Sequence, residues 1–191
     1  MNICVYGASS DIIDKEYIKI TEELGRKMAD RGHCLVYGGG AQGLMGAVAR
    51  GMYEKGGTIV GVAPTFFNVD GILFENCTEM IPTETMRQRK QIMEDKADCF
   101  IVTPGGIGTF EEFFEILTLK QLARHKKAIA VFNINGYYDA MENMMQNAIE
   151  GKFMKSECST LYKMFTDADE MLDYLESYDE EFVNVYHMKN I

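Results

Sequence analysis

The chain has 191 residues, 47% apolar and 25% charged, which is enough for one full-sized core and ordinary for a globular protein in water. Its formal net charge of -10 sets the surface as a whole against nucleic acid and anionic membranes, so an anionic ligand must be small and met by a local positive site. No apolar run reaches membrane-spanning length, and the opening MNICVYGASS has neither the basic region nor the long apolar stretch of a signal peptide, so a cytoplasmic protein is expected.

In chain order, β-branched apolar runs predict strands at 2–7, 34–38, 58–63, 79–83, 99–103, 128–133 and 161–166. Between them, helical period fills 14–31, 43–55, 85–97, 109–124, 137–152 and 167–178, while 64–78 has little period of either kind. This alternation predicts the α/β class. Over 1–191 it reads as a single doubly wound Rossmann-like domain, with a mostly parallel sheet of about seven strands and helices on both faces. Five cysteines (Cys4, Cys34, Cys77, Cys99, Cys158) form no CxxC pair and read as reduced and structural.

In such a sheet ligands bind where strands end and helices begin. Three strand ends stand out: GASS (7–10), GGGAQGLMG (38–46) and PGGIGT (104–109). The second contains Gly38, Gly40 and Gly43 in GxGxxG spacing, so a dinucleotide must be considered. That fingerprint also needs an acidic residue about 20 positions on, at the end of the next strand. Here the next strand runs into VAPTFF, and no carboxylate follows until Asp70. Tight strand-to-helix packing is the plainer reading of these glycines.

PGGIGT is more specific. Gly105, Gly106 and Gly108 allow positive φ and let amides converge, and Thr109 opens a helix whose first amides are unpaired. Together they predict an anion site suited to a phosphate; a plain turn is the alternative. Glu112 has two readings. With Thr109 it fits a T-x-x-E capping box. On the helical projection, Phe110, Phe113, Phe114 and Leu117 form one apolar side and Ile116, Leu119, Leu122 and Ala123 another. Glu112, Glu115 and Thr118 fall between them, so a helix covered by the sheet and by a second subunit would put its carboxylates in a cleft.

The basic counterpart is MRQRK, 86–90. Arg89 projects into the apolar arc of Met86, Ile92, Met93 and Ala97. A buried guanidinium keeps its charge and needs an anionic partner, either a ligand or a structural carboxylate.

MRQRK followed by PGGIGTFEE resembles the paired MHxRK and PGGxGTxxE motifs of the LOG (Lonely Guy) family, the cytokinin riboside 5′-monophosphate phosphoribohydrolases. GASS, VYGGGAQGLMG and NINGYYDAM extend the resemblance over most of the chain; Arg87 stands where the family often has His. The resemblance implies hydrolysis of the N-glycosidic bond of a purine nucleoside 5′-monophosphate, cytokinin or AMP, by Arg89 and Glu112. It further implies substrate contacts from Met86, Lys90, Gly105, Gly106, Ile107, Gly108, Thr109, Thr118 and Gly40, and a homodimer. No cofactor is expected and no metal, since His33, His125 and His187 lack ligand spacing. The family is often labelled lysine decarboxylase, but that chemistry ordinarily needs pyridoxal phosphate on a lysine, and Lys90 is the only lysine in either motif. The rival readings are a non-catalytic nucleotide or cofactor carrier, and an NAD-dependent enzyme.

Overall fold

A computed structural model describes residues 1–67, 71–179 and 188. The strands are β1 (Asn2–Tyr6), β2 (Cys34–Tyr37), β3 (Thr58–Pro64), β4 (Glu79–Thr83), β5 (Cys99–Val102), β6 (Ile129–Phe132) and β7 (Lys163–Phe165). They alternate with α1 (Lys15–Asp30), α2 (Gly43–Glu54), α3 (Met86–Lys96), α4 (Ile107–Gln121), α5 (Asp139–Glu150) and α6 (Ala168–Ser177). Every strand pair is parallel, in the order β4-β3-β2-β1-β5-β6-β7. This is the α/β, Rossmann-like architecture that the alternation predicts.

The period of two along each strand divides the core. Ile3, Val5, Leu35, Tyr37 and Ile101 face α1, α2 and α6, meeting Leu24, Met28, Val48, Met52 and Leu172. Cys4, Tyr6, Val36, Phe100 and Val102 face the other way, against Met93 of α3, Phe113 and Ile116 of α4, and Met141 of α5. Each fully buried side chain of this size contributes about 1.5–3 kcal/mol of transfer free energy, so both layers are well anchored. α1 and α2 cross closely because glycines meet there: a Cβ on Gly51 would stand 2.0 Å from Glu22 O.

Two features of this topology place the site. The chain winds outward from β1 to β4, then returns to lay β5 beside β1, so the loops leaving β1 and β5 diverge and open a crevice. α3 and α4 lie on the same face of the sheet, which brings their N-terminal turns together above the carboxyl ends of β3, β1 and β5.

Candidate active site

α3 begins at Met86 because Thr85 caps it. Gln88 N donates to Thr85 Oγ1 at 3.2 Å, and Thr85 N donates back to Gln88 Oε1 at 3.3 Å, a complete capping box. With Gln88 committed to the cap, the next residue, Arg89, turns inward and is 7% exposed. Its Nε donates to Val62 O at the end of β3 (3.1 Å), and its Nη1 stands 3.7 Å from Glu112 Oε1. Gly38 makes room for this: a Cβ there would lie 1.6 Å from Arg89 Nη2. The first glycine of the GxGxxG spacing is therefore space for a guanidinium that enters from a helix fifty residues away in sequence.

The rest of that spacing does not offer a pyrophosphate site. The N-terminal amides of α2 are already bonded within the protein: Gly43 N to Asp11 Oδ1 (2.6 Å), Leu44 N and Met45 N to Ala8 O (2.8 and 3.2 Å). A dinucleotide phosphate would need those same donors.

PGGIGT behaves differently. Its carbonyls are the bonded groups: Pro104 O accepts from Ala8 N at 2.9 Å and Gly105 O from the Tyr137 hydroxyl at 2.5 Å. The first in-helix bond of α4 runs from Phe110 N to Gly106 O, which leaves the amides before it directed out of the helix start. The expected positive φ is not found at Gly105, Gly106 or Gly108. Gly105 supplies space instead: a Cβ there would lie 2.1 Å from Thr109 Oγ1, whereas one on Gly106 or Gly108 would meet no atom within 4 Å.

α4 starts at Ile107, two residues before the predicted start, with Gly106 as N-cap and no side-chain cap bond. Thr109 is thus the third helical residue, buried at 4% exposure, and the Thr109–Glu112 capping box is not formed. Glu112 is free of a capping duty and points at Arg89. Burial first, then the like charges of Glu111 and Glu115, push its carboxyl up to about 7 against the pull of Arg89 and Lys90.

The two residues share a cavity of about 460 Å³. Its polar lining residues are Ser9, Gln42, Arg89, Thr109 and Glu112, its apolar ones Met45, Phe67, Ile72, Leu73 and Met86, and Gly38, Gly40 and Gly108 complete the wall; Met86 Sδ lies 4.0 Å from Arg89 Nη1. The structure therefore brings Met86, Arg89, Gly40, Gly108, Thr109 and Glu112 together, as the sequence grouped them. It places the others elsewhere. Gly105 and Gly106 line a neighbouring crevice of about 350 Å³ with Tyr17 and Tyr137. Ile107 is 87% exposed. Thr118 is exposed and lies roughly 9 Å further along the helix axis than Glu112. Lys90 does not line the cavity and is paired with Glu111 and Glu115 at 2.5 and 2.7 Å.

Phe67, Ile72 and Leu73 were not singled out by the sequence. Ile72 and Leu73 are held at the cavity by long-range backbone pairing: Ala41 N donates to Ile72 O and Phe74 N to Gly39 O, both at 2.9 Å, around a Gly40–Leu73 bridge; Phe67 ends the short 3₁₀ turn Thr65–Phe67 that follows β3.

Residues 45–175 match a protein family described as "Possible lysine decarboxylase". The cytokinin riboside 5′-monophosphate phosphoribohydrolase LOG2 of Arabidopsis thaliana is 35% identical over 176 residues, 92% of this chain and 83% of that protein. The phosphoribohydrolase LOG of Oryza sativa subsp. japonica is 34% identical over 180 residues, 94% of this chain and 74% of its own length. Among solved structures, the molybdenum cofactor carrier protein of Chlamydomonas reinhardtii superposes with a TM-score of 0.69 at 21% identity, covering 92% of this chain and 96% of that one. At that identity the likeness is one of fold.

Proposed function

This chain belongs to the LOG family, and from that premise we propose that it is a phosphoribohydrolase that cleaves purine nucleoside 5′-monophosphates to free base and ribose 5-phosphate. The observation that carries the reading is the Arg89–Glu112 pair, buried in a cavity that also reaches the open amides of α4. The 5′-phosphate takes the helix start and the Thr109 hydroxyl. The ribose then lies against Glu112, and the base extends toward Met45, Phe67, Ile72, Leu73 and Met86.

In this arrangement the bond from C1′ to the base nitrogen lengthens and positive charge grows on the sugar, as in glycoside hydrolysis generally. Ionised Glu112 stabilises that charge and accepts a proton from the water that bonds to C1′. The departing base takes a proton from solvent as its electron pair returns to nitrogen, and Glu112 returns the proton it accepted to solvent, which closes the cycle. Arg89, held by Val62 O, faces Glu112 and the negative charge building on the leaving base.

Decarboxylation of lysine, as the family description words it, has less support: Lys90, the only lysine in either motif, does not line the cavity and is engaged by two carboxylates. The carrier reading draws on the fold alone. Incubation with AMP and with N6-isopentenyladenosine 5′-monophosphate, followed by chromatography for free base, separates the two, since a carrier binds nucleotide without releasing base. The partly exposed Leu119 of α4 and Leu122 at its C-cap, with the exposed Ile107, support assembly as a homodimer, which light scattering tests.

A further inference from the structure

Arg89 and Glu112 sit on different helices, and the residue beside each of them belongs to a second, shorter ion contact. Lys90 Nζ lies 2.5 Å from Glu111 Oε1 and 2.7 Å from Glu115 Oε2. One cation thus bridges two carboxylates a single turn apart on α4. The Lys90 side chain is 13% exposed, against 55% and 37% for its partners, so its stem is packed and the ammonium is the fixed point of the cluster.

The 3.7 Å between Arg89 and Glu112 exceeds hydrogen-bond length, so that pair does not set its own spacing. At the other end of α3, Lys127 Nζ donates to Glu94 O at 2.6 Å, and in the first turns Arg89 is tied to Val62 O of β3, so neither bond joins α3 to α4 and that restraint is left to another group. Lys90 supplies it, one residue from Arg89, onto a carboxylate one residue from Glu112.

We propose that Lys90 is a positioning residue, which clips α3 to α4 through Glu111 and Glu115 and so fixes the Arg89 guanidinium at the Glu112 carboxylate. The role rests on the reading of Arg89 and Glu112 as the reacting pair. The same cation acts on the charge of Glu112. The groups around that carboxylate are Arg89 and Lys90 from α3, Glu111 and Glu115 from α4, and Cys4 and Tyr6 from β1. Removing Lys90 leaves the two α4 glutamates uncompensated beside it, so Glu112 holds its proton to higher pH.

The test compares Lys90→Met and Lys90→Arg with the wild-type chain. A misplacement of about 1 Å at a reacting group costs up to roughly 100-fold in rate. Lys90→Met is therefore expected to lower kcat about 10- to 100-fold with KM changed less than about threefold, and to move the acidic limb of the kcat profile to higher pH. Lys90→Arg restores both. The partly exposed ion contacts are worth little thermally, so Tm moves only slightly. A raised KM with unchanged kcat would instead make Lys90 a substrate contact. Wild-type kcat with an unmoved limb would overturn the proposal, while loss of activity in Arg89→Ala would still uphold the reacting pair. The Glu112 carboxyl resonance, assigned by its loss in Glu112→Gln and distinguished from Glu94 by Glu94→Gln, gives a readout that needs no turnover. Titration of Glu112 at the same pH in Lys90→Met as in wild type also overturns the proposal.

Discussion

Arg89 Nη1 stands 3.7 Å from Glu112 Oε1, with side chains 8% and 12% exposed, so a cation and a carboxylate face each other nearly out of water beside an open helix start. Breaking such a pair by deleting one charge leaves the other uncompensated. Arg89→Ala is accordingly expected to lose base release by at least 100-fold, and circular dichroism should show the same helix content as the wild type.

Glu112→Gln keeps the shape and removes the charge that meets the sugar cation. Removing one preorganised electrostatic group of this kind costs about 10²–10³ in kcat. Single-turnover rates with saturating nucleotide would measure it. Retained turnover would remove Glu112 from the chemistry.

The Glu112 carboxyl is held at about 7, above the 4.5 of a free glutamate, chiefly by burial. Activity that needs the ionised form therefore falls as pH drops below about 7. Stability runs the other way. A carboxyl whose folded value is raised favours the folded state while protonated, and this advantage is lost as pH rises from about 4.5 through about 7. The Tm difference between Glu112→Gln and wild type should thus shift in favour of the glutamine variant across that window and then level off. Thermal melts of the two proteins at pH 4.5, 6, 7 and 8 check the sign.

Gly38→Ala tests whether the glycine is there for Arg89. The added Cβ would overlap Nη2 at 1.6 Å, and φ at Gly38 is not positive, so the backbone itself accepts alanine. The guanidinium must give way. The expected outcome is a kcat loss approaching that of Arg89→Ala, with a stability cost of about 1–3 kcal/mol from overpacking. Unchanged kcat would mean that Arg89 acts from a different position.

Thr109→Ala removes a hydroxyl buried at the α4 start, where the substrate phosphate is proposed to bind. A hydrogen bond to a charged group is worth about 1.5–3 kcal/mol, so the KM for nucleotide should rise roughly 10- to 100-fold, and Thr109→Ser should keep most of the affinity.

The strands, the helices and the helix faces were legible because β-branched runs such as CFIV and the 3.6-residue period of α1 are local signals; the lateral order of the strands comes from long-range pairing. The start of α4 was not, since the glycines of PGGIGT read as loop although Ile107 and Gly108 are helical. The space-giving role of Gly38 was hidden for another reason: its partner, Arg89, arrives from a remote helix. The same holds for Ile72 and Leu73, which lie in a segment without period and are placed by pairing with Gly39–Ala41. The family resemblance grouped Lys90 with the ligand contacts; the packing of α3 on α4 shows that it faces Glu111 and Glu115.

The most direct measurement is base release from N6-isopentenyladenosine 5′-monophosphate and from the same riboside without its phosphate, under identical conditions. If the α4 start anchors the phosphate so that Glu112 meets the ribose, the nucleotide yields free base and the riboside reacts at least about 100-fold more slowly. Equal rates for the two would contradict the phosphate anchor, and no release from a nucleotide that still binds would contradict hydrolysis itself.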